Sequence, residues 1–331
     1  MYKHVNILIV GFARTGSHAL VDLLSEYDNI GVYPGEFNMF RTPGLISDML
    51  EDKEKCLWPN LIEHYTTYNS LVRRVVDKLI PDGLTNNNFV IKNAKYFPNL
   101  EKKMTTISYI RSISRLNDVL NSNTSLDNKI QATNSWINKL GYFYAKEKEY
   151  LILDQPIKPS SNLSVWTEVF KPFKVIFSIR NPRDQIADLL KAGYLYKPYG
   201  TEPTPTWGGG ILESIYGRNK QGAIKMFIDS MIGHYQQLEV ITRSLGPDSL
   251  LLVKFENLVN NYQNTKSEIE RFIGNIEGHH IQKRKYFDPE KSKKNINFYN
   301  EFLTNDDVEI ISVLEDWINQ NSLLSKYFIM K

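Results

Sequence analysis

The sequence has a single cysteine, Cys56, which excludes an internal disulfide framework and any cysteine-rich metal site and favours a reducing compartment. A structural thiol is the simpler reading of it than a reactive one. The chain also lacks a strong excess of either charge. Forty lysines and arginines stand against thirty-seven aspartates and glutamates, a formal net charge of +3, so no bulk field drives it onto nucleic acid or an anionic membrane. Any anion site has to be local. Long hydrophobic runs are missing too: the opening apolar stretch, residues 5–10, is too short for a signal-peptide core or a membrane span, and a glycine loop follows it directly. The chain therefore reads as cytoplasmic, with no integral membrane segment. No repeat of fixed period and no low-complexity linker interrupts it, and residues 1–331 are read as one domain.

What is present is an α/β pattern. A hydrophobic content of 42% supplies a sizeable core. Six aliphatic or β-branched runs read as strands, at residues 5–10, 30–33, 89–92, 150–154, 175–180 and 250–255. Several are apolar on consecutive residues, as expected of strands buried on both faces in a central parallel sheet flanked by helices. Helical periodicity follows the first run, with Ala19, Leu20, Leu23, Leu24 and Tyr27 on one face, and returns after Pro182 with Ile186, Leu189 and Leu190. Three mainly helical insertions are expected at about 45–85, 96–148 and 195–245, the first with a basic helix around 71–79. Near the end, Thr265 with Glu268 and Thr304 with Asp307 have capping-box spacing, and Gly274 is placed to stop the first of these helices.

Between the first strand and the first helix lies Gly11-Phe-Ala-Arg-Thr-Gly16-Ser17. Two glycines five residues apart in that position are the makings of a phosphate loop, in which backbone amides and a helix N-terminus face an anion. A nucleotide triphosphatase would carry lysine after the second glycine, and here that residue is Ser17. The cation is Arg14, which can fork onto two oxygens at once. Ser17 and His18 add side-chain donors. The plainer alternative is a strand-to-helix turn that holds no ligand.

A second anion-binding element runs from Lys174 through Arg180-Asn-Pro-Arg183-Asp184 to Asp188. A buried strand ends at Arg180, Asn181 can cap a helix with Pro182 at its first position, and Asp184 can reach back from the third. Arg180 then stands where ligands of open α/β sheets bind. Its alternative is a buried salt-bridging arginine.

Together these elements resemble the signature pair of sulfotransferases that use 3′-phosphoadenosine 5′-phosphosulfate (PAPS). The stretch Leu251-Leu-Val-Lys-Phe-Glu-Asn-Leu258 is similar to a third run of that family, so the resemblance extends from residue 5 to about 275, the inserts excepted. It implies a P-loop nucleotide-binding fold, PAPS as co-substrate with adenosine 3′,5′-bisphosphate (PAP) as product, and no metal. It also implies that Arg14, Thr15, Gly16, Ser17 and His18 contact the 5′-phosphosulfate and Arg180 the 3′-phosphate. Where many members have a serine for that phosphate, this chain has Asp188. A carboxylate 4 Å from a phosphate is repulsive by about 1 kcal/mol even in water, so Asp188 has to turn away or be offset, with Lys191 and Arg183 the nearest cations. In place of a Gly-Asp-Trp-Lys-type loop the chain has Glu290-Lys-Ser-Lys-Lys-Asn295, whose Lys293 and Lys294 are candidates for the same phosphate, the alternative being a solvated lysine face.

Sulfuryl transfer to a hydroxyl requires a base for the acceptor proton and a cation for the leaving phosphate. Glu36, after the second strand, is the first candidate base, as in glycan-modifying and bacterial sulfotransferases, to which the chain is more similar than to the cytosolic small-molecule branch; the alternative is a partner for Arg41. Asp154 is the second candidate, in the place of the histidine that cytosolic members use, or else a structural cap. Lys92 could stabilise the leaving group, or simply reach solvent. Trp207-Gly-Gly-Gly210 has the composition of a mobile lid on the acceptor side. The function expected is sulfuryl transfer from PAPS to a hydroxyl of a small molecule or glycan, in particular a carbohydrate or glycolipid. Two alternatives remain: a P-loop kinase or triphosphatase, suggested by the Walker-B-like run 150–154, and a non-catalytic nucleotide-binding relative, kept open by Asp188.

Overall fold

A computed structural model describes residues 4–41, 45–51, 112, 115–158, 161–192, 195, 220–321 and 324–325. In chain order its main elements are β1 (Val5–Gly11), α1 (Ser17–Leu24), β2 (Ile30–Glu36), α2 (Leu126–Tyr144), β3 (Tyr150–Asp154), α3 (Leu163–Val169), β4 (Phe173–Ile179), α4 (Pro182–Lys191), α5 (Lys220–Leu245), β5 (Leu250–Lys254), α6 (Phe255–Asn260), α7 (Tyr262–Ile273) and α8 (Asn305–Gln320). The described strands form a central sheet in the order β2-β3-β1-β4-β5, flanked by helices. The ladders of β1 with β3, β2 with β3 and β4 with β5 are all parallel, and the consecutive burial of β3 and of Val175 to Ile179 is what parallel strands covered on both faces require. The expected strand at 89–92, and with it Lys92, lies outside the described residues, as do Cys56, the basic helix at 71–79 and the run at Trp207.

The chain divides into two compact units, the first made of Met1–Ile9, Val21–Lys174 and His279–Lys283, the second of Val10–Leu20, Val175–Gly278 and Arg284–Lys331. In the first unit β3 pairs with β1 from Val5 opposite Tyr150 to Ile9 opposite Asp154. On its other side β2 pairs in register as far as Val32, slips, and rejoins with Glu36 opposite Asp154. The slip brings these two strand-end carboxylates to one edge. The short segment from His279 is held in this unit by two histidine–carboxylate contacts, His279 Nδ1 to Asp28 Oδ1 and His280 Nε2 to Glu26 Oε2, each 2.7 Å. The His280 ring also stacks on Tyr27 at 4.5 Å.

In the second unit β4 and β5 pair from Val175 opposite Leu250 to Ile179 opposite Lys254. Helix α5 turns Ile224, Phe227, Ile228, Met231, Tyr235, Leu238 and Ile241 inward, a three-and-four spacing that buries one stripe, and it packs along α8. Thr304 and Asp307 form the expected capping box on α8. Thr265 does not cap a helix: α7 already starts at Tyr262, and the Thr265 hydroxyl donates to the Asn257 carbonyl at 3.1 Å. A three-residue spacing can recur inside a helix whose real start is set by the turn before it. Among the described residues no helix is long and apolar enough to cross a membrane.

Candidate functional site

The glycine loop, the strand end after β4 and the C-terminal segment near residue 295 all belong to the second unit. The loop leaves β1 at Gly11 and enters α1 at Ser17. Arg14 has φ 63° and Gly16 φ 92°, so two residues take left-handed backbone on either side of Thr15. Alternation of this kind can turn N–H groups to one side as a nest for an anion, but the Thr15 N–H itself donates to the Phe12 carbonyl at 3.1 Å. A Cβ on Gly11 would lie 2.2 Å from Thr15 Oγ1, and one on Gly16 would lie 2.5 Å from Phe255 Cδ2. Both positions need glycine.

The carbonyl side of the loop is tied down. Gln185 Nε2 donates to the Phe12 and Ala13 carbonyls at 3.1 and 2.6 Å, Arg180 Nη1 to that of Arg14 at 2.9 Å, and Ser178 Oγ to that of Thr15 at 2.7 Å. Four consecutive carbonyls are therefore held by side chains of β4, of α4 and of Arg180 between them. The first turn of α1, with its N–H groups and the positive end of its dipole, begins directly after them. Thr15 and Ser17 are buried, Arg14 and His18 exposed. Thr15 Oγ1 is buried without a hydrogen-bond partner among the described residues. A helix N-terminus after a tight glycine turn, a buried hydroxyl and an exposed guanidinium are groups that suit a phosphate or sulfonate.

The 3′-phosphate end fits less well. Arg180 is 3% exposed, both of its Nη groups are engaged, and its Nε is buried without a hydrogen-bond partner among the described residues. Besides the Arg14 carbonyl, Nη1 donates to Asp188 Oδ2 at 2.9 Å and Nη2 to the Asn295 carbonyl at 2.8 Å. Phe255 and Phe298 rings lie 5.1 and 5.6 Å from its Cζ, within cation–π range. Asp188 is thus offset by Arg180 itself and not by the two cations the sequence suggested. Arg183 forks onto Glu315 at 2.7 and 2.6 Å, and Lys191 Nζ lies over the Phe298 and Phe302 rings. Lys293 pairs with Glu290 at 2.7 Å, and Lys294 is exposed. The lysine run does come to Arg180, but through the Asn295 backbone.

Asn181 caps α4 by accepting from the Arg183 N–H at 2.9 Å, with Pro182 next. Asp184 does not reach back to that cap. Its carboxylate is buried and accepts the N–H groups of Asn297 and Tyr299 at 2.8 and 3.1 Å, pinning the C-terminal segment to α4. Burial pushes its pKa up, against the pull of those N–H groups and of Arg180. Glu256 Oε1 accepts the Asn181 N–H at 2.9 Å, and burial raises its carboxyl likewise. Ser178 and Gln185 were not picked out from the sequence. Their signal was a lone polar residue in the apolar run Val175-Ile-Phe-Ser-Ile and an amide on the apolar side of an amphipathic helix, both of which call for a buried partner.

The candidate bases belong to the first unit. Glu36 Oε2 accepts from Arg41 Nη2 at 2.6 Å with its side chain 36% exposed. Asp154 is buried at the end of β3, and its carbonyl accepts the Phe37 N–H at 2.6 Å. Among the described residues no group of three or more histidine, cysteine, aspartate or glutamate side chains could hold a metal ion.

No family model and no curated protein matches the chain. Three solved structures to which the chain is loosely similar are bacterial sulfotransferases. The sulfotransferase domain of the Synechococcus PCC 7002 olefin synthase has a TM-score of 0.43 at 16% identity, over 94% of each chain. Sulfotransferase STF9 from Mycobacterium avium scores 0.44 at 10% identity, covering 97% of this chain and 78% of its own. STF1 from Mycobacterium tuberculosis H37Rv scores 0.41 at 14%, covering 90% and 77%. Likeness this loose assigns no function, and the reading of the site rests on the chain's own residues.

Proposed function

We propose that the protein is a sulfotransferase that moves a sulfuryl group from PAPS to a hydroxyl of an acceptor, a carbohydrate or glycolipid being the preferred class. The observation that carries the reading is the loop at residues 11–17, its carbonyls anchored by side chains and its backbone running into the N-terminus of α1, with arginine as the cation and serine where a triphosphatase needs lysine. In this reading Thr15, Gly16, Ser17 and His18 hold the 5′-phosphosulfate, and the ribose 3′ side faces Arg180, with Lys293 and Lys294 nearby in sequence to its Asn295 contact. The acceptor oxygen attacks sulfur in line as the bond from sulfur to the phosphate oxygen breaks. The acceptor proton goes to a carboxylate, Glu36 first and Asp154 second. The electron pair leaves with PAP, and Arg14 and the loop amides neutralise its growing charge.

The test has two arms. In thermal shift, PAP without magnesium should raise the melting temperature, because a ligand bound only by the folded state stabilises it by mass action. Stabilisation by ATP with magnesium alone would instead favour a kinase. In turnover, labelled sulfate from PAPS should pass to a member of a glycan and phenol panel, and Glu36→Gln should lower the rate by about a hundredfold or more. If Glu36→Gln and Asp154→Asn both keep wild-type turnover, neither carboxylate is the base.

A further inference from the structure

Arg180 is the natural receptor for a phosphate on the ribose, yet both of its Nη groups are already bonded, and its Nε is buried without a hydrogen-bond partner among the described residues. The charge of its guanidinium is cancelled by Asp188 at 2.9 Å, and two backbone carbonyls take further N–H groups. A phosphate dianion that reaches the Nη groups has to displace the Asn295 carbonyl or approach the Asp188 carboxylate. Both cost binding free energy, the first by breaking a hydrogen bond to a charged donor and the second by like-charge repulsion. Of the cations that could offset the carboxylate, Arg183 is paired with Glu315 and Lys293 with Glu290, Lys191 lies over two phenyl rings, and Lys294 is exposed. Asp188 itself is 28% exposed on its side chain.

We propose that Asp188 sets the selectivity of the donor site. By occupying Arg180 it removes most of the preference for a 3′-phosphate, so that adenine nucleotides with a free 3′-hydroxyl bind nearly as well as 3′-phosphorylated ones. The proposal rests on the reading that the loop receives the 5′-phosphate end of an adenine nucleotide. Asp188 is a selectivity residue here, and the anion cradle of the loop does not depend on it.

The experiment compares adenosine 3′,5′-bisphosphate with adenosine 5′-monophosphate by calorimetry on the full chain, as wild type, Asp188→Ser and Asp188→Asn. For wild type the two dissociation constants should agree within about threefold. Asp188→Ser should favour the bisphosphate by about tenfold or more, the worth of one charge-assisted hydrogen-bonded contact. Asp188→Asn removes the charge and keeps the shape, so it should shift the ratio in the same direction and provides the answer if the serine variant does not fold. A wild-type preference for the bisphosphate above about thirtyfold would overturn the inference and leave the sulfotransferase reading standing, as would an unchanged ratio in the variants. Absence of binding by either nucleotide would remove the nucleotide reading and the inference with it.

Discussion

Replacing Gly16 by alanine tests whether the loop is held in its shape by what surrounds it. Two separate costs follow from the structure. At φ 92° an L-residue is strained, by about 1–2 kcal/mol. The new methyl would also lie 2.5 Å from Phe255 Cδ2, with the next ring atoms at 3.1 and 3.2 Å, and relieving such a contact in a packed site costs about 1–3 kcal/mol. Alanine restricts the unfolded chain and returns about 0.4–1 kcal/mol. The net loss expected is about 2–4 kcal/mol, read as a lower urea midpoint at unchanged m-value by tryptophan fluorescence. Phe255→Leu, which removes the ring, separates the two terms. In the double variant the clash is gone and the backbone strain remains, so a double-mutant cycle should give a coupling of about 1–2 kcal/mol in favour of the pair. Affinity for PAP should fall in Gly16→Ala, because relief of the clash turns the amides out of the nest. A Gly16→Ala cost below about 1 kcal/mol, or a coupling within about 0.3 kcal/mol of zero, would show that neither φ nor the ring constrains the loop.

Two further predictions concern neighbouring groups. Arg14 holds a left-handed φ of 63° without being glycine, so Arg14→Gly should leave stability unchanged or raise it by up to about 1 kcal/mol while weakening PAP binding; a loss of stability with intact binding would mean that the side chain is structural. Asp184 has a pKa raised by burial, which fixes the sign of its pH dependence. At low pH the group is neutral in both states; as pH rises past the ordinary aspartate value the unfolded chain ionises first, and the folded state loses stability until it ionises too. The stability of wild type relative to Asp184→Asn should therefore fall as pH rises through and above the ordinary aspartate range, about pH 4, measured by urea titration. A flat or rising difference would contradict the assignment.

How much of this was legible depended on whether the partner was local. The strands of the sheet were read from consecutive apolar residues because burial on both faces leaves no room for alternation, as in Tyr150 to Asp154. Caps were read where donor and acceptor lie within three residues, as at Asn181 with Arg183 and at Thr304 with Asp307. The same local rule misled at Thr265 and Asp184. Their side chains found acceptors and donors in other elements: the Asn257 carbonyl for Thr265, and N–H groups more than a hundred residues away for Asp184. Spacing identifies a group that needs a partner and says nothing of where the fold will supply one. Asp188 is the sharpest case, since its repulsion toward a phosphate was visible in sequence but its answer, the Arg180 guanidinium, was not.

The two glycine- and arginine-bearing motifs, read as separate anion sites, are joined in the structure as one construction. Gly11 and Gly16 permit the loop's backbone angles, but permission does not choose which face is presented. That choice is made by Ser178, Arg180 and Gln185, whose donors engage the carbonyls from Phe12 to Thr15. An acceptor turned toward these buried donors cannot turn outward without leaving them unpaired, at about 1–3 kcal/mol each. Arg180 is accordingly a residue that positions the loop before it is one that touches a ligand, and its replacement would disturb the 5′ end of a nucleotide as well as the 3′ end. Arg180→Ala is for that reason an ambiguous probe of 3′-phosphate recognition, whereas a change at Asp188 leaves the carbonyl ties in place.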